Sequence, residues 1–225
     1  MPKFHHTPKG FRNNYIESVT KSVGDLLRWQ TERIRNHLPP KPQLPTPQIS
    51  ADLGFIRRNA AAGTQMIPAV TWIGHATMLV QAGGLNVLTD PIFSRRASPV
   101  QFLGPKRVQQ PGIALEDLPH IDVVVISHNH YDHLDRGSIV ALARQPGGAP
   151  LFLAPLGLKV WLEGLGVPEA MELDWWDAYE VAAADGRRTE FQLTPAQHWS
   201  SRTLADRNKT LWGGWAAFKI GRAHV

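Results

Sequence analysis

Side chains that can bind metal are concentrated in one short stretch, "SHNHYDHLD", at positions 127 to 135. The stretch contains His128, His130, Asp132 and His133, and it follows the apolar run "IDVVVI", which predicts a buried strand. Clustered imidazoles and carboxylates beside a hydrophobic strand are costly unless something binds them. Because ligand sites commonly lie beyond the carboxyl ends of strands in α/β proteins, the stretch predicts a metal site.

The spacing of these four residues suggests two ions rather than one. Alternate residues of extended backbone project to similar sides, so His128 and His130 can meet one ion, whereas Asp132 and His133 can reach a second. The chain has no cysteine, so any metal must be held by His, Asp or Glu. Imidazole combined with carboxylate suits zinc, with iron and manganese as alternatives.

Several motifs between residues 50 and 218 resemble those of known proteins. The pattern H-x-H-x-D-H after a hydrophobic strand resembles the metallo-β-lactamase superfamily. The segments "TWIGHATMLV", "LTDPIFSRRASPVQFLGPKR" and "PAQHWSSRTLADRNKTLWGGW" are similar to the branch of N-acyl-phosphatidylethanolamine-hydrolysing phospholipases D and its bacterial relatives. The last segment contains His198, which the resemblance assigns as the third histidine of the first metal.

The resemblance implies a zinc-dependent phosphodiesterase that releases N-acylethanolamine and phosphatidic acid from an N-acyl phospholipid. Paired ions about 3.5–4 Å apart generate hydroxide at neutral pH and stabilise the attacking and leaving oxygens. One Zn²⁺ is then expected on His128, His130 and His198. Asp132 and His133 are expected to help hold the second Zn²⁺ and to take part in catalysis with the hydroxide.

Five further residues are expected to support this site: His75, Asp90, Arg202, Asp206 and Asn208. His75 in "GHAT" and Asp90 in "TDP" either hold the metal ligands or form ordinary turn hydrogen bonds, and both readings stay open. The other three follow His198 and are expected to order its loop rather than to contact substrate.

Other aromatic side chains are expected to be structural. Trp199, Trp212 and Trp215 are expected in the core, with a lipid path as the alternative. The remaining histidines are expected on the surface: His5, His6, His37 and His120.

The order of the predicted elements indicates an α/β fold. Hairpins come first and strand–helix–strand units follow. The resemblance implies an αββα sandwich, of which we expect the first half and the start of the second. We expect a basic helix and proline-rich arm over residues 1–50, the hydrolase domain over 51–219, and a non-native tail over 220–225.

Four expectations concern single elements. Helical spacing predicts one helix over residues 13–38 that packs on the body, with a membrane-surface helix as the alternative. A further helix is expected from near Pro155, and "LDRGSIVALARQ" is expected to be a helix with Asp135 as its N-cap. The segment "AMELDWWDAYEV" is expected to be a single strand.

Charge is distributed unevenly along the chain. Residues 1–68 contain ten Lys/Arg and four Asp/Glu, and residues 69–225 contain fourteen and fifteen. A near-neutral body argues against a nucleic-acid surface. Neither an apolar leader nor a long apolar run is present, so we expect a soluble, cytoplasmic protein, with peripheral membrane contact left open.

Two alternatives to a lipid phosphodiesterase remain. The same fold can act on a lactone, a sugar-phosphate lactone or a nucleic acid, or the chain can be a non-catalytic metal-binding remnant. The resembled family also uses a bridging aspartate and a final histidine that are expected further along, but no Asp or Glu follows Asp206. The ending "IGRAHV" resembles a translated library adapter, and we expect the 225 residues alone to be poorly stable and inactive.

Overall fold

The computed structural model describes residues 3–16, 23–36, 47–203 and 205–220. The strands in these ranges are β1 (His6–Thr7), β2 (Gly10–Phe11), β3 (Ala69–Gly74), β4 (Thr77–Ala82), β5 (Leu85–Thr89), β6 (Val123–Val125), β7 (Leu151–Pro155), β8 (Ala170–Leu173), β9 (Ala178–Ala182), β10 (Arg188–Thr194) and β11 (Gly214–Ile220). The α-helices are α1 (Val23–Arg35), α2 (Leu53–Ala60), α3 (Arg136–Leu142) and α4 (Lys159–Glu163).

A six-stranded sheet in the order β3-β4-β5-β6-β7-β8 forms the centre of the fold. Its first three strands pair antiparallel, and β5 to β8 pair parallel. Helices α3 and α4 lie in the two parallel crossovers that follow β6 and β7, as parallel pairing requires a long connection. The strands β11-β10-β9 form a second, antiparallel sheet.

The six-stranded sheet is covered on both faces around β6, whereas Val70 and Trp72 of β3 and Met78 of β4 are exposed. Val124 packs in a cluster with the helical residues Ile56, Ile139 and Leu162. Its neighbours Val123 and Val125 pack in a second cluster with side chains of the smaller sheet. Successive residues of a strand face opposite sides, so an entirely apolar β6 fits a strand buried on both faces. The predicted α/β fold class is confirmed, and the described residues form three layers: helices, large sheet and small sheet.

The chain brings the site residues to one edge of these layers. Asp90 directly follows β5, and His128 comes three residues after β6, which is parallel to β5. His75 lies in the turn between β3 and β4, and His198 lies four residues after β10.

The predicted helix over residues 13–38 is only partly present. Residues 14–16 form a bend, and α1 begins at Val23 and ends at Arg35. Asn13 lies outside any helix, and its side chain is hydrogen-bonded to the backbone of His198. The expected packing of the helix on the body is wrong for its described side chains, since Leu27, Trp29 and Ile34 are exposed. None of the helices in the described ranges is long and apolar enough to span a membrane.

Two other element predictions needed correction. The helix expected near Pro155 begins only at Lys159, because β7 runs to Pro155 and Gly157 then turns the chain with φ of 92°. The segment "AMELDWWDAYEV" is divided between β8 and β9, which belong to different sheets. The N-cap at Asp135 is confirmed, since its carboxylate accepts from the Ser138 N–H at 3.1 Å.

The described residues do not test the predicted domain boundaries near the two ends of the chain. The proline-rich segment lies largely outside the described residues, as does most of the expected tail after residue 219. The division into arm, domain and tail stays a prediction.

Candidate metal centre

Three imidazoles converge at the carboxyl end of β6. His128 Nε2 lies 2.9 Å from His130 Nδ1, and His198 Nε2 lies 3.0 Å and 3.3 Å from these two atoms. A tetrahedral zinc with Zn–N bonds of ~2.0–2.1 Å places its nitrogen ligands about 3.3 Å apart. The three predicted ligands of the first ion are therefore brought together at a spacing that fits a bound metal.

The protonation of these imidazoles also fits a cation. Burial lowers the pKa of His128 to about 2, and the neighbouring imidazoles act in the same direction. Burial and His198 lower the pKa of His130 to about 4, and burial lowers the pKa of His198. Neutral rings carry one lone pair each. The three converging nitrogens have only one another as partners among the described residues, so a divalent cation is the group that would satisfy them together.

A second group of potential ligands adjoins the first. Asp132 Oδ2 lies 3.0 Å from His75 Nε2 and 3.7 Å from His133 Nε2. The His133 ring lies 4.1 Å from the His128 ring, centroid to centroid. The structure thus places the two predicted sets of ligands side by side. It also places His75, which was expected as a support, among the residues that can hold the second ion.

The Asp90 carboxylate orients one histidine in each of the two ligand groups. Its buried carboxylate accepts from the N–H and the hydroxyl of Ser127, each at 2.6 Å, and lies 2.9 Å from His133 Nδ1. Burial alone would lower the pKa of His133, but the hydrogen bond and charge of Asp90 outweigh it and raise that pKa. The Ser127 hydroxyl also lies 2.8 Å from His128 Nδ1, so Asp90 is linked to one residue of each group. Of the two readings left open for Asp90, this geometry favours support of the ligands.

Arg202 ties the loop after His198 to the histidine-rich stretch. Its Nη1 donates to Asn129 O at 2.9 Å and to Leu134 O at 2.7 Å. The guanidinium lies 4.1 Å from the centroid of the Tyr131 ring. These contacts hold the two ligand-bearing loops together.

Two more residues order the same loop. Asp206 accepts from the N–H groups of Arg202 and Thr203 at 2.9 Å and 2.8 Å. Asn208 Oδ1 accepts from the Ser200 N–H at 3.3 Å, and Asn208 adopts φ of 56°. Both residues act on loop conformation in this arrangement, as expected from the sequence.

Asn13 is a site residue that the sequence analysis did not identify. Its Oδ1 accepts from the His198 N–H at 3.1 Å, and its Nδ2 donates to His198 O at 3.0 Å. Trp212 Nε1 also donates to this Oδ1 at 3.2 Å. The N-terminal segment therefore holds the backbone of a metal-site histidine.

His5 is also placed differently from the expectation of a surface residue. Its side chain is buried, contacts Asp174 Oδ1 through Nε2, and lies 4.3 Å from the Trp175 ring. His6 lies 2.8 Å from the other oxygen of Asp174, and Lys3 Nζ lies 3.1 Å from it. Because an ammonium already neutralises this carboxylate, we interpret the cluster as an anchor for the N-terminal segment. His120 is exposed as expected, and His37 lies outside the described residues.

A cavity of about 510 Å³ opens in front of the two ligand groups. His75, His130, Asp132 and Trp199 are among the residues that line it. Trp199 is thus part of the site rather than of the core, whereas Trp212 is fully buried as expected. Trp215 is half-buried and donates to Ile126 O at 2.8 Å.

Comparisons with known proteins identify relatives of the chain. A family model described as "Beta-lactamase superfamily domain" matches residues 85–224. An uncharacterized protein of Mycobacterium tuberculosis is 40% identical over 193 residues, which are 85% of this chain and 47% of that protein. The N-acyl-phosphatidylethanolamine-hydrolyzing phospholipase D 1 of Caenorhabditis elegans is 41% identical over 157 residues, which are 68% of this chain and 44% of that protein.

The chain thus spans about half the length of these two curated relatives. Among solved structures, Igni18, a metallo hydrolase from the archaeon Ignicoccus hospitalis, has 25% sequence identity and a TM-score of 0.47. That match covers 67% of this chain and 55% of the other.

Proposed function

Because this chain belongs to the metallo-β-lactamase superfamily, we propose that it carries the metal centre of a metal-dependent hydrolase. The observation that carries the proposal is the convergence of His128 Nε2, His130 Nδ1 and His198 Nε2 within 2.9–3.3 Å of one another. The adjoining group of His75, Asp132 and His133 supports a second ion. The imidazole and carboxylate donors, with no thiolate, favour zinc in both positions.

The residues of the chain have separate tasks in this proposal. A bound divalent ion supplies Lewis acidity, which activates water and withdraws charge from a phosphoryl oxygen. His128, His130 and His198 would hold and orient the first ion, and His75, Asp132 and His133 would do so for the second. The Asp90 carboxylate accepts a hydrogen bond from His133 Nδ1 at 2.9 Å, and this bond orients the ring so that Nε2 faces Asp132.

We further propose that the substrate is an N-acyl-phosphatidylethanolamine-like lipid, hydrolysed to N-acylethanolamine and phosphatidic acid. The sequence similarity to the C. elegans enzyme supports this substrate class. The cavity supports it as well, since Arg95 and Lys106 line one wall and suit a phosphate, and Ile92 and Trp199 add apolar surface. Such a protein would work in the cytoplasm at the surface of a membrane.

The activity can be tested on the protein of the complete reading frame, loaded with zinc. We expect release of N-acylethanolamine that is abolished by a chelator and by His130→Ala, but not by His120→Ala, which changes an exposed histidine away from the cavity. Turnover of a lactone or of RNA, with none of the lipid, would show that the lipid assignment is wrong. Tight metal binding without any turnover would favour a non-catalytic module. The 225 residues expressed on their own test the prediction that they are inactive.

A further inference from the structure

A short hairpin of residues 94–107, here called the cationic hairpin, lies in the long connection between β5 and β6. Its two arms are joined by the Ala97 N–H, which donates to Pro105 O at 3.0 Å. Gly104 turns the chain at the tip with φ of 102°, and a Cβ there would lie 2.7 Å from that of Ser98. The hairpin therefore has a defined conformation that needs glycine at this position.

Hydrogen bonds connect the base of the cationic hairpin to the rest of the fold. Arg107 Nε donates to Ser94 O at 3.1 Å, and Arg107 Nη2 donates to Ile92 O at 2.8 Å. The Phe93 N–H donates to Ser138 Oγ, which lies on α3, at 2.8 Å. The tip is thus held in a fixed position relative to the metal centre, so it does not need to fold on contact with a partner.

The tip of the cationic hairpin presents two large apolar side chains to solvent. Phe102 is 82% exposed and Leu103 is 68% exposed. Next to the base, Val108 is 81% exposed. Adjacent exposed apolar side chains on a structured loop form a candidate contact surface, whereas scattered single ones are normal.

The charged residues of the segment that contains this hairpin are all of one sign. Residues 91–115 contain Arg95, Arg96, Lys106 and Arg107 and no Asp or Glu. Arg95 and Lys106 are exposed, and neither forms an ion pair with a carboxylate in the described part of the chain. Both also line the cavity in front of the metal centre, so the hairpin connects that cavity with the apolar tip.

We propose that the cationic hairpin docks the protein on an anionic phospholipid surface. Phe102 and Leu103 enter the interface between headgroups and acyl chains, and Arg95 and Lys106 contact lipid phosphates. An apolar tip with unpaired cations behind it matches a surface that is apolar inside and negatively charged outside. Docking in this way places the mouth of the cavity at the lipid surface. The inference deepens the proposed function and rests on it for the substrate, but the docking can be measured without turnover.

Sedimentation with vesicles tests the docking. The protein of the complete reading frame is mixed with vesicles of phosphatidylcholine alone, or of phosphatidylcholine and phosphatidylglycerol in equal amounts. We expect binding to the anionic vesicles that weakens as salt is raised. Phe102→Ser/Leu103→Ser should weaken it at least tenfold, and Arg95→Gln or Lys106→Gln should weaken it about fivefold each. The control is Ile67→Ser, which removes an exposed apolar side chain before β3, at the end of that strand away from His75.

Three results would overturn the docking proposal. They are equal binding to neutral and anionic vesicles, equal binding by the tip variant and the control, and concentration-dependent self-association that the tip variant abolishes. The last result would assign the tip to a second copy of the chain. Turnover separates this proposal from the proposed function, because Phe102→Ser/Leu103→Ser should slow hydrolysis of lipid in vesicles but not of a water-soluble short-chain analogue. Tip-dependent vesicle binding without any hydrolysis would leave the docking standing and reject the phospholipase.

Discussion

Asn13 and His198 lie 185 positions apart in the chain and hold each other by two hydrogen bonds. The carboxamide of Asn13 accepts from the His198 N–H at 3.1 Å and donates to His198 O at 3.0 Å. The N–H and the carbonyl oxygen of His198 are therefore both hydrogen-bonded to the Asn13 side chain. These bonds fix the backbone of His198 and so the orientation of its imidazole. Groups behind a metal ligand that fix its orientation typically change metal affinity by 10–100-fold when they are removed.

Asn13→Ala should therefore weaken metal binding at the three-histidine group by about 10–100-fold. The imidazole is still present in this variant, but its backbone is no longer held. Competition for zinc between the protein and a chromogenic chelator measures the affinity directly. The matched control is Asn14→Ala, since the Asn14 side chain makes no hydrogen bond to any of the described residues. Equal affinities for the two variants would contradict the role of Asn13.

His130→Ala should have opposite effects on the metal-free and metal-loaded protein. Without metal, the change relieves the approach of neutral imidazole nitrogens. It also removes His130 Nε2, a buried atom that has no hydrogen-bond partner among the described residues. We therefore expect no loss of stability in the chelated protein. With zinc at about 100 times the dissociation constant, wild type should gain about 2.7 kcal/mol, and the variant should lose most of this gain.

Thermal unfolding with zinc and with chelator checks both halves of this prediction. His120→Ala serves as the control because His120 is exposed and belongs to neither ligand group. An equal zinc-dependent rise in Tm for His130→Ala and wild type would show that this histidine does not bind the ion.

Asp90→Asn should change the tautomer of His133. The carboxylate can only accept, so His133 carries a proton on Nδ1 where it faces Asp90 Oδ2 at 2.9 Å. A carboxamide NH₂ in that place favours a proton on Nε2 instead, which removes the lone pair from the nitrogen facing Asp132. We expect a lower pKa of His133 and about 10–100-fold weaker binding of the second ion.

Nitrogen NMR of labelled histidine reports the tautomer and the pKa of His133, and metal analysis reports the number of ions. The control is Asp117→Asn, which breaks an exposed ion pair with Arg57 and should cost about 0–1 kcal/mol. An unchanged tautomer and unchanged metal content in Asp90→Asn would reject the orienting role of Asp90.

The parts of the site that were predicted from residue types and spacing alone depend on short-range patterns, whereas His198, 70 positions from His128, was assigned by resemblance to a family. The strand β6 and the residues that follow it lie within thirteen positions of one another, and apolar periodicity gives way there to ligand-type residues. The N-cap at Asp135 likewise depends on Ser138, three positions away. The strand β6, the ligand-type residues after it and the N-cap each depend on residues within one short segment, so the sequence predicts them well.

The parts that were missed depend on partners far along the chain. Asn13 bonds to a residue 185 positions away, and His5 is buried against Asp174, 169 positions away. The division of "AMELDWWDAYEV" into two strands has no glycine or proline to indicate it, because the turn uses Trp176 at φ of 73°. Left-handed backbone at a tryptophan is unusual. The Trp176 side chain is exposed, and its N–H donates to Leu193 O at 2.7 Å, so a partner 17 positions away holds this backbone.

Asp174→Asn should destabilise the protein at neutral pH and have little effect in acid. Burial alone would raise the pKa of Asp174, but hydrogen bonds from His5, Lys3, the Trp175 N–H and His6 outweigh it and lower that pKa. A group whose pKa is lower in the folded state stabilises the fold above its unfolded pKa, about 3.9 for Asp. This contribution is lost as the pH falls through the lowered, folded-state value. The difference in unfolding free energy between wild type and Asp174→Asn should therefore be large at pH 7 and shrink below about pH 4.

Urea unfolding of both proteins at a series of pH values gives this difference directly. The control is Glu180→Gln, which removes a half-exposed carboxylate that pairs with Arg188 and should cost about 0–1 kcal/mol at any pH. If the difference in unfolding free energy between wild type and Asp174→Asn stays constant or grows as the pH falls, Asp174 does not anchor the N-terminal segment as a carboxylate. Because that segment carries Asn13, the anchor also predicts a link to the metal centre: Asp174→Asn should weaken zinc binding in the same direction as Asn13→Ala, although neither residue touches the ion.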